Sequence, residues 1–142
     1  MTAGCAAGPV RLAVPSSDPA AGPEVAAACT KLSGALPGTV VGQERRETEP
    51  PHVRTAAWGD PAVTLRCGVP QPEALVPTAQ LVTVNGVDWL PEELTRGWRF
   101  TTTGRVAFVE VDVPEAYRPE VDALVDLADA VSAAVPVRDA AG

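Results

Sequence analysis

Proline and glycine divide this chain into short segments, and this punctuation constrains its fold more than any other feature of the sequence. The 142 residues include 15 prolines and 12 glycines. Interruptions at this frequency exclude the long helices of a bundle, whereas short strands joined by turns tolerate them. Asn85-Gly86, which lies between two apolar segments, is the strongest hairpin signal in the chain. The pattern therefore favours an antiparallel sheet with many turns.

Several segments have the apolar or alternating pattern of β-strands, and most of them are expected to pair as hairpins. The highly charged Glu44–Glu49 is expected to form an exposed strand or edge. The segments with the strand pattern are Val10–Val14, Thr39–Gln43, Val53–Ala57 with Ala62–Cys67, Gln80–Val84 with Val87–Leu90, and Trp98–Thr103 with Arg105–Val113. Alternation along the last of them puts Val109 and Val111 on one face, together with Ala107 and Val113, and Glu110 on the other. Residues 91–97 are expected to form a connecting segment.

Two further segments have the spacing of amphipathic helices. Pro23 suits the first position of one helix, whose inner face carries Val25, Cys29, Leu32 and Leu36. Pro119 suits the first position of the other helix, which ends before Pro136. We therefore predict an α+β domain of two layers, in which both helices pack on one face of a mainly antiparallel sheet of five to six strands. The domain is expected to span residues 10–136, between a flexible leader (1–9) and a disordered tail (137–142).

Two of the three cysteines are expected to form a disulfide between the helix layer and the sheet. Cys29 lies on the inner face of the first helix, and Cys67 shares a strand face with Val63 and Leu65. Closing this loop would remove about 4 kcal/mol of conformational entropy from the unfolded chain. Disulfides persist in oxidising compartments, so the pair indicates a protein that works outside the cytoplasm. The alternative is two buried free thiols, which are common in protein cores.

The third cysteine resembles a lipid-attachment site. Cys5 follows Thr2-Ala3-Gly4, and small residues before a cysteine are typical of the end of a bacterial lipoprotein signal. The apolar stretch of a signal peptide does not fit into the four preceding residues, so we expect the native start to lie upstream. The alternative is a free cysteine in a disordered tail.

The charge of the chain argues against several classes of partner. The formal net charge is −7 and the sequence pI is about 4.6, so nucleic acid and anionic lipid would be repelled. No apolar run is long enough to span a bilayer. His52 is the only histidine and follows two prolines in an expected loop, so we expect neither a metal site nor a cofactor.

A group of polar and aromatic residues in or beside turns is the best candidate for a partner-binding surface. The group contains Trp58, Asp60, Arg66, Asn85, Asp88 and Trp89. Amphipathic aromatic rings beside polar groups can serve recognition at one end of the sheet, although the rings could instead cap the core. No catalytic residue is predicted with comparable support. Glu110 and Asp112 would project roughly 7 Å apart from one strand face, which suits either acid–base chemistry or a solvated face.

Four motifs together point to a known family. They are Trp58–Pro61, Leu65–Pro70, Asn85–Leu90 and Phe100–Arg105. With them, residues 10–136 resemble an actinobacterial family catalogued as domain of unknown function 3515. The resemblance implies a small secreted, membrane-anchored or lipoprotein-like protein, and it matches Cys29 and Cys67 to a family cysteine pair. It implies no established activity and transfers no catalytic residue.

We therefore expect an extracytoplasmic binding or accessory protein, tethered by lipid at Cys5 to the outer face of the cell membrane or secreted. Its partner would be an unidentified protein or ligand of the cell envelope. The alternative is an envelope hydrolase that uses Asp60, Asp88 or the Glu110 and Asp112 pair. That alternative requires one carboxylate to be buried in a concave pocket beside a second polar group.

Overall fold

Two helices pack on one face of an eight-stranded sheet in the computed structural model, which describes residues 8–16 and 22–138. The helices are α1 (Gly22–Ala35) and α2 (Asp122–Ala134). The strands are β1 (Val10–Arg11), β2 (Thr39–Val40), β3 (Gln43–Arg46), β4 (Thr48–Glu49), β5 (Thr55–Trp58), β6 (Val63–Val69), β7 (Val82–Val84), β8 (Val87–Leu94), β9 (Gly97–Thr102) and β10 (Phe108–Pro114). This architecture confirms the predicted α+β class. Among the described residues, neither helix is both long and apolar enough to cross a bilayer.

The main sheet is antiparallel throughout and follows the order β2-β3-β5-β6-β10-β9-β8-β7. Asn85 and Gly86 both have positive φ angles, 48° and 84°, as a tight two-residue hairpin turn requires. A small second sheet was not predicted, and it pairs β1 with β4 in parallel. In the main sheet the two central strands, β6 and β10, are far apart in sequence but adjacent in the fold.

An aliphatic core fills the space between the helices and the sheet. The helices contribute Val25, Cys29, Leu32, Leu124, Leu127 and Val131, and the sheet contributes Val63, Leu65, Val109, Val111 and Val113. Each of these side chains is at most 7% exposed, and burying a side chain of this kind contributes about 1.5–3 kcal/mol. The predicted inner face of the last strand segment is confirmed, because Ala107 and the three valines after it are all buried.

The predicted disulfide between Cys29 and Cys67 is confirmed. It joins α1 to β6, with the two Cα atoms 5.6 Å apart. Both cysteine side chains lie inside the core, at 0% and 1% exposure. The bond therefore fastens the first helix to a central strand of the sheet.

The opposite face of the sheet carries no helix, and we call it the open face. Residues of the N-terminal segment lie against part of it. The carbonyl of Gly8 accepts a hydrogen bond from the Arg46 guanidinium, and the carbonyl of Ala13 accepts one from Nε of Arg66 at 2.9 Å. Polar side chains of β6, β8, β9 and β10 line a further part of the open face, among them Arg66, Glu92, Thr101 and Glu110.

Several predicted boundaries are wrong, and the reasons lie in strand pairing. The predicted connecting segment from Pro91 is instead part of β8, which pairs with β9 as far as Leu94. Pro91 has no N–H to donate. It is tolerated because the pairing of β7 with β8 does not extend past Val82 and Trp89, so β8 is an edge strand at Pro91. The predicted strand 44–49 is divided between β3 and β4, and β1 is only two residues long.

The end of the domain also extends beyond the predicted limit at residue 136. Val137 forms a bridge with Arg105, and the N–H of Arg138 donates to the carbonyl of Gly104 at 2.8 Å. These contacts place the first two residues of the predicted tail against the loop between β9 and β10.

Candidate functional site

A cleft of about 380 Å³ lies on the open face of the sheet. Its walls come from β6, β8, β9, β10 and the proline-rich segment that follows β6. The lining residues are Arg66, Val69, Pro70, Pro72, Glu73, Glu92, Arg99, Thr101 and Glu110. We call it the open-face cleft. This cleft brings together Arg66, from the predicted partner-binding group, and Glu110, from the alternative hydrolase site.

Strand register builds a row of alternating charges, of which Arg66, Glu110 and Arg99 line this cleft. Glu110 on β10 lies directly opposite Arg66 on β6 and Thr101 on β9. Asp112, two residues further along, lies opposite Arg99. Because directly opposed residues of neighbouring strands project from the same face, these side chains meet on the open face.

The distances define a continuous ion-pair ladder. Nη1 of Arg66 donates to Oε2 of Glu110 at 3.0 Å, and Nε of Arg99 lies 3.5 Å from the other oxygen, Oε1. Arg99 also donates two hydrogen bonds to Asp112, from Nε to Oδ1 at 2.8 Å and from Nη2 to Oδ2 at 3.0 Å. Such bidentate pairs are among the stronger polar contacts in proteins. We refer to these four residues as the charge ladder.

Glu110 is the most enclosed member of the charge ladder. Its side chain is 10% exposed, against 24% for Arg66 and 36% for Arg99. Two guanidinium groups compensate its charge, as a buried carboxylate requires. The hydrogen bond that Arg99 donates to Asp112 raises the pKa of Arg99, and this outweighs the lowering of the pKa by partial burial. Arg99 is therefore a permanent cation.

The chemistry of this cleft suits recognition of a mixed-charge ligand. Among the described residues, Nη2 of Arg66 and Nη1 of Arg99 donate to no acceptor, so two guanidinium edges remain for a ligand carboxylate. Glu73 and Glu92 line the same cleft and offer acceptors to a ligand cation. A purely anionic ligand would be repelled by the three glutamates, whereas a peptide-like ligand with both charges would not.

The tryptophans of the predicted partner-binding group do not offer their rings to a partner. Trp58 and Trp89 are each 0% exposed. Nε1 of Trp58 donates to the carbonyl of Pro37 at 3.0 Å, and the Arg45 guanidinium lies 5.4 Å from the Trp58 ring. Both rings instead cap the core, which is the alternative that the sequence analysis left open. Trp98 is half-buried and stacks beside Phe100, with the ring centroids 6.4 Å apart.

The predicted group is also divided between opposite ends of the sheet. Asp60 lies in the turn that joins β5 to β6, beside the first residues of β6. Asn85 and Asp88 belong to the β7–β8 hairpin, at the end of the sheet where β6 finishes. Both carboxylates are exposed. Of the predicted group, only Arg66 is part of the open-face cleft.

Arg99 was missed, although the sequence contains a signal for it. Phe100 alternates with Arg99 and Thr101 along β9, which places these two polar side chains away from the core. The same reasoning had placed Glu110 and Asp112 on one polar strand face, and that placement is confirmed. What alternation alone could not show is which arginine lies opposite which carboxylate.

The geometry does not favour acid–base catalysis by the carboxylates considered above. Asp60 and Asp88 are exposed, and Glu110 is engaged by two arginines. His52 lies in a different cleft, beside Arg45 and Arg46, where its Nδ1 accepts the N–H of Arg54 at 3.1 Å. Across residues 8–16 and 22–138, no three His, Cys, Asp or Glu side chains are grouped as metal ligands. The predicted lipid-attachment residue, Cys5, lies outside the described residues.

A family model described as Protein of unknown function (DUF3515) matches residues 2–140. This match covers almost the whole chain, including both disulfide cysteines and every residue of the charge ladder. Comparison with curated proteins and with solved structures gave no match.

Proposed function

This chain belongs to the DUF3515 family, and from that premise we propose that it is an extracytoplasmic binding protein of the actinobacterial cell envelope. In this proposal a lipid on Cys5 tethers the domain to the outer face of the membrane, and the open-face cleft binds a mixed-charge, peptide-like partner. The observation that carries the proposal is the Cys29–Cys67 disulfide. A disulfide inside the core supports export, because thiols in the cytosol are kept reduced.

The open-face cleft supports the binding part of the proposal through the donors that it leaves available. Arg66 and Arg99 are held in place by Glu110 and Asp112, so their free edges are already oriented before a ligand arrives. Such preorganisation reduces the entropy that binding costs. A cleft beside α2 contains a single arginine, Arg118, with two aspartates, Asp122 and Asp126, so it offers fewer donors to a ligand carboxylate.

Location is tested by the N-terminal peptide and by the redox state of the cysteines. Mass spectrometry of the native protein should find acyl chains on Cys5, and Cys5→Ser should release the protein from the membrane fraction. Cys29→Ala with Cys67→Ala is the control, since it removes the disulfide but keeps the attachment site. An unmodified Cys5 in native membranes would contradict the tether. If alkylation in intact cells modifies both Cys29 and Cys67 without reductant, export itself is contradicted.

Binding is tested by cross-linking in the native membrane. Arg66→Ala combined with Arg99→Ala should abolish capture of a specific envelope partner, because both guanidinium edges are removed. Arg96→Ala is a matched control, since Arg96 is exposed and lies in the β8–β9 turn outside the cleft. Equal capture by the double variant and by the control would argue against the open-face cleft. A thermal unfolding curve for each variant shows that the comparison is made between folded proteins.

A further inference from the structure

The outer edge of the sheet at β7 has the features of a strand that accepts another strand. β7 is the last strand in the order, and it pairs only with β8 among the described residues. Val84 pairs with Val87 across the two-residue turn, so these residues exchange hydrogen bonds, and so do Val82 and Trp89. Between them, the backbone N–H and C=O of Thr83 point away from β8. Those of Leu81, just before the strand, point in the same direction.

This edge lacks the charged side chains by which sheets avoid pairing with other chains. Residues 74–87 contain no Asp, Glu, Lys or Arg, in a chain that carries a net charge of −7. Val76 and Leu81, in the segment that leads into β7, are 49% and 42% exposed. Exposed apolar residues on an uncharged edge strand favour association, and charged side chains ordinarily prevent it.

The opposite edge of the same sheet is protected. β2 is only two residues long, and its neighbour β3 carries Glu44, Arg45 and Arg46. The N–H of Val41, in the turn between β2 and β3, donates a hydrogen bond to Oδ2 of Asp126 at 2.8 Å. The contrast identifies β7 as the edge that is open to a partner.

We propose that two copies of this chain pair through β7, antiparallel to each other and centred on Val82, so that the two sheets become continuous. Antiparallel pairing of a strand with itself is self-complementary, because the outward groups of Thr83 in one copy meet those of Leu81 in the other across a twofold axis. Electrostatics also favours a second copy. Two acidic molecules approach with least repulsion where neither carries charge, and the uncharged run provides that surface.

The pairing is short, so the dimer should be weak and dependent on concentration. Sedimentation equilibrium from roughly 10 µM to roughly 1 mM, which covers the dissociation constants of weak complexes, should show a monomer–dimer equilibrium. In parallel, the amide protons of Leu81 and Thr83 should become protected from exchange as concentration rises. Neither amide has a hydrogen-bond acceptor within residues 8–16 and 22–138, which makes the exchange measurement specific to this edge.

Variants at Thr83 separate strand pairing from other causes of association. Thr83→Pro removes the outward N–H but no hydrogen bond to β8, and it should weaken the dimer about tenfold or more. Thr83→Val keeps the backbone N–H and loses only the side-chain bond to Asp88, so it should dimerise like the original chain. Leu81→Lys brings two like charges close together and should act like Thr83→Pro without altering the backbone.

Three results would overturn the proposal. The first is a chain that stays monomeric throughout the concentration range. The second is a dimer that Thr83→Pro and Leu81→Lys leave unchanged while both variants remain folded. The third is a monomer that instead binds an unrelated extended peptide at this edge, with protection of Leu81 and Thr83 only when the peptide is present. None of these results bears on the lipid tether or on the open-face cleft.

Discussion

Trp58 and Trp89 show how one residue type can have different energetic roles in the same core. Both rings are fully buried. The indole N–H of Trp58 donates to Pro37, whereas the N–H of Trp89 has no acceptor within the described residues. A buried polar group without a hydrogen-bond partner lowers the stability of the folded state. A mutation that removes a donor has a similar cost when it leaves the acceptor buried and unpaired. The two residues should therefore respond differently to the same substitution.

We expect Trp58→Phe to lower the free energy of unfolding by about 1–3 kcal/mol more than Trp89→Phe does. Both substitutions remove similar apolar volume, so each serves as the control for the other. Only Trp58→Phe leaves the Pro37 carbonyl without its donor, while Trp89→Phe removes an unsatisfied N–H. Urea unfolding followed by circular dichroism measures the difference. Equal losses, or a larger loss for Trp89→Phe, would contradict the hydrogen-bond assignment.

Tyr117 gives a prediction about pH, and it is the only tyrosine in the chain. Burial is the main cause that raises its pKa above the ordinary value of 10.0, and the charge of Asp60 adds to it. Folding therefore favours the neutral phenol. Its contribution to stability is complete below about pH 10, the pKa of an unfolded tyrosine, and is lost as the pH rises through the higher pKa of the folded state.

Spectrophotometric titration of the folded protein should place the pKa of Tyr117 above that of the unfolded chain in urea. Asp60→Asn should move the folded value back towards the unfolded one, since it removes the nearby negative charge. Tyr117→Phe should lose less stability than the original chain between pH 9 and pH 11, a window chosen around the ordinary pKa of about 10. A folded pKa at or below the unfolded value would contradict the partial burial of Tyr117, whose hydroxyl donates to the carbonyl of Pro61 at 2.5 Å.

At the scale of elements, Arg105 holds the end of α2 against the β7–β8 turn. Its side chain is buried, and the residue is 7% exposed. Nη1 donates to the carbonyl of Val135 at 2.7 Å, and Nη2 lies 3.4 Å from the carbonyl of Gly86. Val135 is the C-terminal cap of α2, where the helix dipole favours a cation. The guanidinium therefore satisfies carbonyl groups of two elements that are far apart in sequence.

We expect Arg105→Met to lower the free energy of unfolding by about 2 kcal/mol, the range for hydrogen bonds that involve a charged group. Because methionine keeps most of the apolar part of the side chain, the decrease in the free energy of unfolding measures the contribution of the guanidinium contacts. Arg138→Met is the control, because Arg138 is nearby in the fold but exposed. Thermal unfolding monitored by calorimetry measures both variants. If the two variants are equally stable, Arg105 does not join these elements energetically.

At the scale of the whole molecule, the Cys29–Cys67 disulfide acts through the unfolded chain as much as through the folded one. The bond spans a sequence separation of 38 residues and links the first helix to the centre of the sheet. Closing a loop of this length restricts the unfolded ensemble, and the stabilisation is about 4 kcal/mol. Small domains have total stabilities of about 5–15 kcal/mol, so this one bond supplies a large share.

Replacement of Cys29 and Cys67 by alanine, in a Cys5→Ser background that prevents thiol exchange, should lower the free energy of unfolding by about 4 kcal/mol. The same background with the disulfide intact is the reference. Adding reductant should destabilise the reference by a similar amount and leave the double alanine variant unchanged. Guanidinium unfolding with and without reductant provides the four measurements. A reductant effect on the alanine variant, or none on the reference, would contradict the role given to this bond.

The sequence by itself determined the fold class, both helices, most strands and the disulfide partners. It could do so because hydrophobic periodicity and turn residues are local, and they record which face of each element is buried. Alternation placed Glu110 and Asp112 on the polar face of β10, and helical spacing placed Cys29 on the inner face of α1. Both placements needed only residues close together in the chain.

Only the tertiary structure decided how distant strands are aligned, and the candidate site depends on that alignment. β6 and β10 are far apart in sequence, so no local pattern shows that Arg66 lies opposite Glu110. The same alignment puts Trp58 and Trp89 at opposite ends of the core instead of on one surface. Register between distant strands is fixed by the packing of the whole sheet against its helices, because a shift by one residue would turn every buried side chain outward.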